Sequence, residues 1–253
     1  VKNKTYTFTN KNVSAESGYI NISLGVVTTQ NLYDMNPAHI IRECITDKAS
    51  GLGEHDSLID DASFIYAADY FYDKKIGMSI AFTKEGTIED FISEILRHIS
   101  AFLYVEPTTG KYKLKLAIDD YNVEDLITLN PSNIISLGDY SKSTFSELLN
   151  QVTVTYKNLS NDTNSTLTVQ DIALISMNGG LIKSKSIKYE GFTNSTTASR
   201  AALRDLKTIS TPLVSCEIQV KRSVGLGLRQ GDVFVLDWQK YFIDGAVMRI
   251  SEI

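Results

Sequence analysis

Hydrophobic and polar residues follow two different periods along the chain, and the period predicts the elements. In the first 30 residues the segments "KTYTFTN" and "YINISLGVV" alternate between apolar and polar side chains. Alternation with a period of two, carried by aromatic and β-branched residues, is typical of β-strands. Residues 1–30 are therefore predicted to form strands.

Three later segments repeat apolar residues every three to four positions, which predicts amphipathic helices; they are residues 36–48, 60–74 and 87–100. The first helix should begin with Asn36 as the N-cap and Pro37 in the first helical position. The third should begin with a capping box made by Thr87 and Asp90. We expect one of two nearby glycines, at positions 51 and 53, to end the first helix.

Shorter patterns surround these helices. Residues 78–83, "MSIAFT", predict a strand, and residues 101–118 predict a hairpin with a "PTTG" turn. Residues 120–145 predict a connector, because Asn130-Pro131 and Gly138 are typical breakers of regular structure.

From residue 150 onward the pattern is mostly β, with several predicted strands: "QVTVTY", "STLTVQD", "LIKSKSIKY", "LVSCEIQVKR", "DVFVLDW" and "YFIDGAVMRI". One helix is expected among them, at about residues 195–209, where small alanines would allow close packing on a sheet. We place the main boundary near residue 146. The predicted fold class is α+β, with strands at 1–30, an α+β domain at 31–145 and a mainly antiparallel β domain with one packed helix at 146–253.

Composition restricts the classes of function. The 253 residues carry a net charge of −5 at pH 7, with a pI near 5.3, which argues against a basic DNA-reading face. No apolar run approaches the roughly 20 residues of a membrane span, and no signal-peptide pattern is present. Because Val1 leads directly into a strand pattern, we expect a segment of a longer protein. Cys44 and Cys216 lie in apolar patterns and are expected to be buried free thiols.

Two glycine pairs could indicate nucleotide binding, but neither has the sequence context of a phosphate-binding loop. Gly51-Leu52-Gly53 follows a helix, whereas a phosphate loop places its glycines before a helix N-terminus. Gly225-Leu226-Gly227 lies between two strands. We therefore predict no bound cofactor.

Metal binding is not expected either, because a tetrahedral zinc site needs clustered nitrogen and sulfur ligands. The histidines are His39, His55 and His98, and they are scattered along the chain.

Catalytic carboxylate pairs are also not expected. Asp60-Asp61 begins a helix, where acidic side chains offset the helix dipole, and Asp119-Asp120 ends a hairpin strand. Both pairs thus have structural explanations, and we predict no catalytic residues.

Trp238 and Tyr241 are the candidate contact residues. In "DWQKYF" they flank a predicted turn at Gln239-Lys240. Exposed aromatic rings there could stack on a sugar or on a protein partner. The alternative is that they cover the end of a barrel.

The order of the motifs resembles a known family. The first half contains a helix start at Asn36, Pro37 and Ala38 that ends near paired glycines. A second helix start at Asp60, Ser63 and Phe64 continues into paired alanines, Ala67 and Ala68, and a hairpin turn is made by Thr109, Gly110 and Lys111. The second half contains a strand motif at Glu147, Asn150, Val152, Val154 and Tyr156, a helix with Ala198, Ala201 and Leu206, and a Gly-Asp-Val turn in which Gln230 stands where proline is common.

This ordered set resembles the tail-tip hub proteins of long-tailed bacteriophages, the group that includes the tip-attachment or host-specificity protein of lambda-like phages. The resemblance implies a non-enzymatic, baseplate-hub-like structural protein that is a homotrimer when full length. Residues 146–253 would contribute to a tail-tube-like β-barrel, residues 31–145 would be an inserted domain, and residues 1–30 would be the end of a preceding β domain. A mildly acidic balance suits a channel through which DNA slides.

The expected partners are other tail proteins: the distal tail, tube, tape-measure and receptor-binding parts. The expected location is the tail tip of the virion, reached from the bacterial cytoplasm during assembly. Two alternatives remain: a carbohydrate-binding adhesion module that uses Trp238 and Tyr241, and a peptidoglycan-cleaving hub enzyme that uses Asp60 or Asp119.

Overall fold

The computed structural model describes residues 22–23, 26–27, 34–81, 86–159 and 162–253. In these residues the helices are α1 Pro37–Thr46, α2 Asp61–Asp73, α3 Ile88–Ile99, α4 Ile172–Met177, α5 Ser195–Ile209 and α6 Arg222–Gly225. The strands are β1 Ile22–Ser23, β2 Val26–Val27, β3 Ala101–Glu106, β4 Lys111–Leu116, β5 Ile127–Leu129, β6 Ile134–Lys142, β7 Gln151–Asn158, β8 Thr163–Gln170, β9 Ser184–Tyr189, β10 Val214–Val220, β11 Val233–Trp238 and β12 Ile243–Arg249. The fold is α+β, as predicted.

The three predicted N-terminal helices are confirmed within two residues at each end. Asn36 caps α1 by accepting a hydrogen bond from the Ala38 N–H at 3.1 Å, and Pro37 is the first helical residue. The capping box of α3 is also present, because Thr87 Oγ1 accepts from the Asp90 N–H at 3.2 Å and an Asp90 oxygen accepts from the Thr87 N–H at 3.0 Å. Local sequence therefore fixes where these helices begin.

Contacts divide the chain into two units, and the division falls within β4. The first unit consists of Val1–Leu114 and Leu149–Ser210, and the second of Lys115–Leu148 and Thr211–Ile253. Each unit combines parts that are far apart in the sequence. In the first unit, Thr193 and Asn194 donate to Asp34, and the Gly191 N–H donates to His98. In the second unit, β6 pairs with β10.

In the first unit, α1 packs against α2 and α3, and α5 packs on β7 and β8. The strand order is β8-β7-β9, with β8 antiparallel and β9 parallel to β7. Val152, Val154 and Tyr156 alternate on the buried face of β7. On α5 the buried residues are the predicted small and apolar ones, Ala198, Ala201, Ala202 and Leu206. The apolar residues that alternate on β7 and those that recur with the helical period on α5 are thus buried, as their patterns predicted.

In the second unit, two sheets share one apolar core. One sheet pairs β6 with β10, and the other has the order β12-β11-β5. The buried core residues are Leu129, Ile134, Phe234, Leu236 and Ile243. As far as the structure describes the strands of residues 146–253, they lie in three separate sheets, and no closed barrel is found among them.

Several sequence predictions were wrong in detail. Residues 120–145 are not a connector: β5 and the nine-residue strand β6 occupy them. Gly138 lies inside β6, opposite Glu217 and next to a register shift, so this glycine accompanies a bulge and does not end the strand.

Two further corrections concern short elements. The predicted strand at 78–83 is reduced in its described residues to an isolated bridge between Met35 and Met78. Two helices, α4 and α6, accompany α5 in the second half, where one was expected. The predicted strand "KTYTFTN" lies outside the described residues.

Candidate functional site

The β11–β12 hairpin carries a cluster of three aromatic side chains at its connection, Trp238, Tyr241 and Phe242, which we call the aromatic tip. A 3₁₀ turn, Gln239–Tyr241, joins the two strands. The rings of Trp238 and Tyr241 lie 5.8 Å apart between centroids at an angle of 49°. The structure therefore brings the two predicted contact residues together.

The members of the aromatic tip differ in their exposure. Trp238 is half-buried and packs against the core of the second unit, whereas Tyr241 is 51% exposed and Phe242 is 97% exposed. The Lys240 ammonium lies 5.8 Å from the centroid of the Tyr241 ring. Only Tyr241 and Phe242 therefore offer large apolar surfaces for contact.

Phe242 was not singled out from the sequence, although it follows Tyr241 directly. Its backbone is left-handed, with φ +57°. A bulky side chain in this region is an outlier that costs about 1–2 kcal/mol. The conformation directs the chain into β12, whose first residue, Ile243, is buried in the core. A strained backbone thus holds a nearly fully exposed phenylalanine at the end of a hairpin that is anchored in the core.

The second unit also contains an open cavity of about 190 Å³, which we call the C-terminal pocket. Its apolar wall is formed by side chains from four strands, β5, β10, β11 and β12, and from the residue after β12, including Cys216, Ile218, Val220, Phe234, Met248 and Ile250. Arg249 and Glu252 add one charge of each sign. This cavity can accept an apolar group of the size of a ring.

Cys216 corrects one prediction. Both cysteines are free, but only Cys44 is buried, and burial raises the pKa of the Cys44 thiol to about 11. Cys216 is half-buried and lines the C-terminal pocket, and partial burial raises the pKa of its thiol as well. Neither thiol is thereby activated as a nucleophile.

His98 is fully buried in the first unit and holds two hydrogen bonds that require a neutral ring. Its Nδ1 donates to the Glu94 carbonyl at 2.7 Å, and its Nε2 accepts from the Gly191 N–H at 3.1 Å. Edge-on contacts with Tyr189 and Phe192 complete its surroundings. Burial, together with nearby arginines, lowers the His98 pKa to about 4. The residue is a structural link between α3 and β9.

A second buried polar cluster surrounds Asp34, which is 2% exposed. The Thr193 hydroxyl donates to its carboxylate at 2.6 and 2.7 Å, with further donors in Ser79 at 3.1 Å and Asn194 at 3.2 Å. Burial raises the Asp34 pKa, and these hydrogen bonds act in the opposite direction. The cluster stabilises a loop arrangement, and every donor in it has a structural role.

Two further sequence motifs, Gly51-Leu52-Gly53 and Asp60-Asp61, have structural explanations. The N–H of Leu52 donates to the Cys44 carbonyl at 2.8 Å, and a Cβ on Gly51 would lie 2.4 Å from the same oxygen. α1 itself ends at Thr46, with Asp47 as an extended C-cap, so the prediction that Gly51 or Gly53 ends the helix is wrong. The two glycines instead permit the tight turn after α1, Gly51 through this close approach and Gly53 through its φ of +74°. Asp61 pairs with the buried Arg42 at 2.6 Å.

No group of three His, Cys, Asp or Glu side chains in the described part of the chain could hold a metal ion. None of the described helices has the length and hydropathy of a transmembrane segment.

Residues 87–253 match the family model Phage-tail_3, which describes phage tail proteins. The matched range covers more than half of the chain and includes every strand from β3 to β12. A search of curated proteins finds no match.

Three solved structures are partly similar. The tail protein from Neisseria meningitidis MC58 has 17% identity and a TM-score of 0.48, with 68% of this chain and 52% of that chain covered. The 43 kDa tail protein of prophage MuSo2 from Shewanella oneidensis has 13% identity and a TM-score of 0.43, with coverages of 68% and 51%. The prophage tail protein gp18 from Listeria monocytogenes EGD-e has 14% identity and a TM-score of 0.37, with coverages of 67% and 48%. The chain thus spans about half the length of these proteins.

Proposed function

The chain belongs to the Phage-tail_3 family of phage tail proteins, and from this premise we propose that it is a structural component of the tail tip or baseplate hub. In this position it joins the tail tube to the tip and to the host-recognition parts, and it forms part of the passage for DNA. The observation that carries the proposal is the family match over residues 87–253, which includes both sheets of the second unit.

Open strand edges support an assembly role. Within the described residues, β6, β10, β5 and β12 each pair with one neighbouring strand. A strand edge presents unpaired N–H and C=O groups that favour pairing with a further strand. Neighbouring subunits would supply those strands, and a tube-like barrel would be completed in the assembled hub. We propose a homotrimer of the full-length protein, in contact with the distal tail, tube, tape-measure and receptor-binding proteins.

The outer face of the β6–β10 pair supports a role in DNA passage. Its exposed cross-strand partners include Ser141 with Ser215 and Ser136 with Gln219, and the Ser141 and Ser215 hydroxyls are 2.8 Å apart. The exposed Glu217 on β10 adds a negative charge. A hydroxyl-rich surface with little positive charge would not retain phosphates by ion pairing. We propose that this face lines the passage.

We propose further that the protein has no catalytic activity of its own. The ion pair between Asp61 and Arg42 gives one acidic pair a structural role. The competing proposal of a peptidoglycan-cleaving enzyme predicts a clearing zone in a cell-wall zymogram that disappears in Asp60→Asn or Asp119→Asn. A gel without clearing would eliminate that alternative.

Carbohydrate binding is a second candidate, favoured by the exposed Tyr241 beside Trp238. It predicts binding on a glycan array that Tyr241→Ala reduces by about tenfold, the loss that corresponds to one aromatic contact of roughly 1.4 kcal/mol. The matched control is Tyr66→Ala, because Tyr66 is similarly exposed on α2. An array without specific signals would argue against this candidate.

The position in the virion tests the leading proposal. As a phage tail protein the chain is a virion component, and the tip position is the proposed part. An epitope inserted between Thr108 and Thr109, in the exposed turn between β3 and β4, can be labelled with antibody-gold on particles. We expect gold at the tail end distal to the head, and no gold on particles with the untagged chain. Labelling along the tube or at the head end would contradict the tip position.

A further inference from the structure

The aromatic tip combines exposure with rigidity. Phe242 is 97% exposed, although burial of a phenylalanine side chain away from water is favourable. The base of the tip is held by the 3.0 Å hydrogen bond from the Phe242 N–H to the Gln239 carbonyl, and by the buried Ile243. A preorganised apolar side chain binds without a large loss of conformational entropy.

The C-terminal pocket matches an aromatic ring in size, and apolar side chains form one wall of it. An apolar cavity of about 150 Å³ accommodates a benzene ring, and this pocket has about 190 Å³. Ile218, Val220 and Met248 would contact a ring inserted into it. The pocket and the aromatic tip belong to the same unit, so their relation within one chain is defined.

The aromatic tip cannot reach the pocket of its own chain. Phe242 precedes β12, whereas Met248 and Ile250 lie at the other end of that strand. The five residue steps from Ile243 to Met248 extend over roughly 17 Å at a rise of about 3.4 Å per residue. The aromatic tip and the C-terminal pocket therefore lie at opposite ends of one hairpin. A contact between the two features requires a second molecule.

Charges around the two features are complementary. Asp237 and the exposed Asp244 flank the aromatic tip, which also carries Lys240. Helix α6, which contributes Gly225 to the pocket, begins with the exposed residues Lys221 and Arg222. A tip with net negative charge would be attracted to this basic helix start.

We propose that Phe242 of one copy inserts into the C-terminal pocket of a second copy. This contact is heterologous, because the two partners use different surfaces, and such contacts close into rings when the rotation between copies permits it. The inference rests on the proposed function for the expectation that copies assemble around a passage. It adds the residues through which neighbouring copies recognise each other.

A photo-crosslinking experiment tests the contact in the 253-residue chain. Phe242 is replaced by p-azidophenylalanine, which is close to it in size, and ¹⁵N-labelled and unlabelled copies are mixed before irradiation. We expect mixed-isotope crosslinks from position 242 to peptides that contain Cys216–Val220 or Met248–Ile250. The same replacement at the exposed Tyr66 is the control and should give no crosslink to those peptides.

Self-association is measured in parallel by sedimentation equilibrium. Phe242→Ala should weaken association by about 30-fold, the loss typical of a buried aromatic hot spot, and Tyr66→Ala should leave it unchanged. Cys216→Phe, which fills the pocket from within, should abolish both the crosslink and the association while the circular dichroism spectrum is retained. If Cys216→Phe fails to fold, the association of Phe242→Ala and the crosslinks from position 242 test the proposed contact without it.

The outcomes separate this inference from the proposed function. Crosslinks to other regions, a monomer at every concentration, or association that Phe242→Ala does not affect would each overturn the knob-and-pocket contact. None of them would move gold labelling away from the tail tip, which depends on the proposed function alone. Gold elsewhere with the expected crosslinks would retain the contact and refute the tip position.

Discussion

Asn150 and Lys183 are joined by reciprocal hydrogen bonds. The Asn150 side-chain oxygen accepts from the Lys183 N–H at 2.8 Å, and the Lys183 carbonyl accepts from the Asn150 N–H at 2.9 Å. The Asn150 amide also donates to the Leu181 carbonyl at 2.8 Å, and the residue has no exposed surface. Asn150, part of the strand motif that resembles the phage family, therefore sets the register between β7 and β9.

We expect Asn150→Ala to lower the free energy of unfolding by about 2–3 kcal/mol, because it leaves the Lys183 N–H and the Leu181 carbonyl without their buried partner. Urea denaturation measures the change. Asn164→Ala, at an exposed position of β8, is the matched control and should remain within about 0.5 kcal/mol of the wild type. Equal effects of both variants would contradict the structural role of Asn150.

His98 should make stability depend on pH. The His98 pKa is about 4 in the folded protein, whereas the ordinary value of 6.5 applies in the unfolded chain. As the pH falls, the unfolded chain therefore binds a proton first. Stability from the neutral ring is thus present above pH 6.5 and is lost as the pH decreases toward 4. Between pH 7 and pH 5 we expect a loss of about 2 kcal/mol from this residue.

Denaturation of the wild type and of His98→Gln at both pH values isolates this contribution. The variant should lose less stability than the wild type between pH 7 and pH 5, whereas His55→Gln, which removes an exposed histidine, should lose as much as the wild type. Parallel pH dependences of the wild type and His98→Gln would refute the assignment.

Thr193→Val should destabilise the first unit by about 1–3 kcal/mol at pH 7, because the buried Asp34 carboxylate loses its shortest hydrogen bonds. The raised Asp34 pKa means that the folded state holds this proton to a higher pH than the unfolded state does. Its unfavourable contribution therefore grows as the pH rises from about 4. Thr193→Val removes a donor to the ionised form, so its destabilisation should be larger at pH 7 than at pH 4.

Thermal denaturation at the two pH values checks this difference. Thr166→Val, at an exposed position of β8, is the control and should behave like the wild type at both. A Thr193→Val effect that is independent of pH would indicate that ionisation of Asp34 is not involved.

Phe242→Gly should be more stable than Phe242→Ala by about 1 kcal/mol, since glycine adopts a positive φ without steric cost whereas alanine retains the strain. Both variants remove the same exposed ring, so the difference between their stabilities measures the cost of the left-handed backbone. Chemical denaturation measures it. Equal stabilities would mean that the left-handed turn relaxes when the ring is absent.

The sequence by itself determined the elements whose signals are local. The N-cap at Asn36, the capping box of Thr87 and Asp90, and the alternation of Val152 and Val154 each depend on residues a few positions apart. The helices and strands built on them are therefore found where they were predicted. The order of these motifs also pointed to the phage tail family, and the hairpin turn between Trp238 and Tyr241 followed from its pattern.

Only the tertiary structure decided which segments meet. Gly138 looked like a breaker because the residues of β10 that pair with β6 lie far away in the sequence. His98 looked like any helical histidine until burial against Tyr189 and Gly191 fixed its neutral form. The pocket joins Cys216 and Met248 from different strands, and Phe242 owes its exposure to a backbone turn. Long-range pairing and burial created these features, and neither is encoded in the neighbouring residues alone.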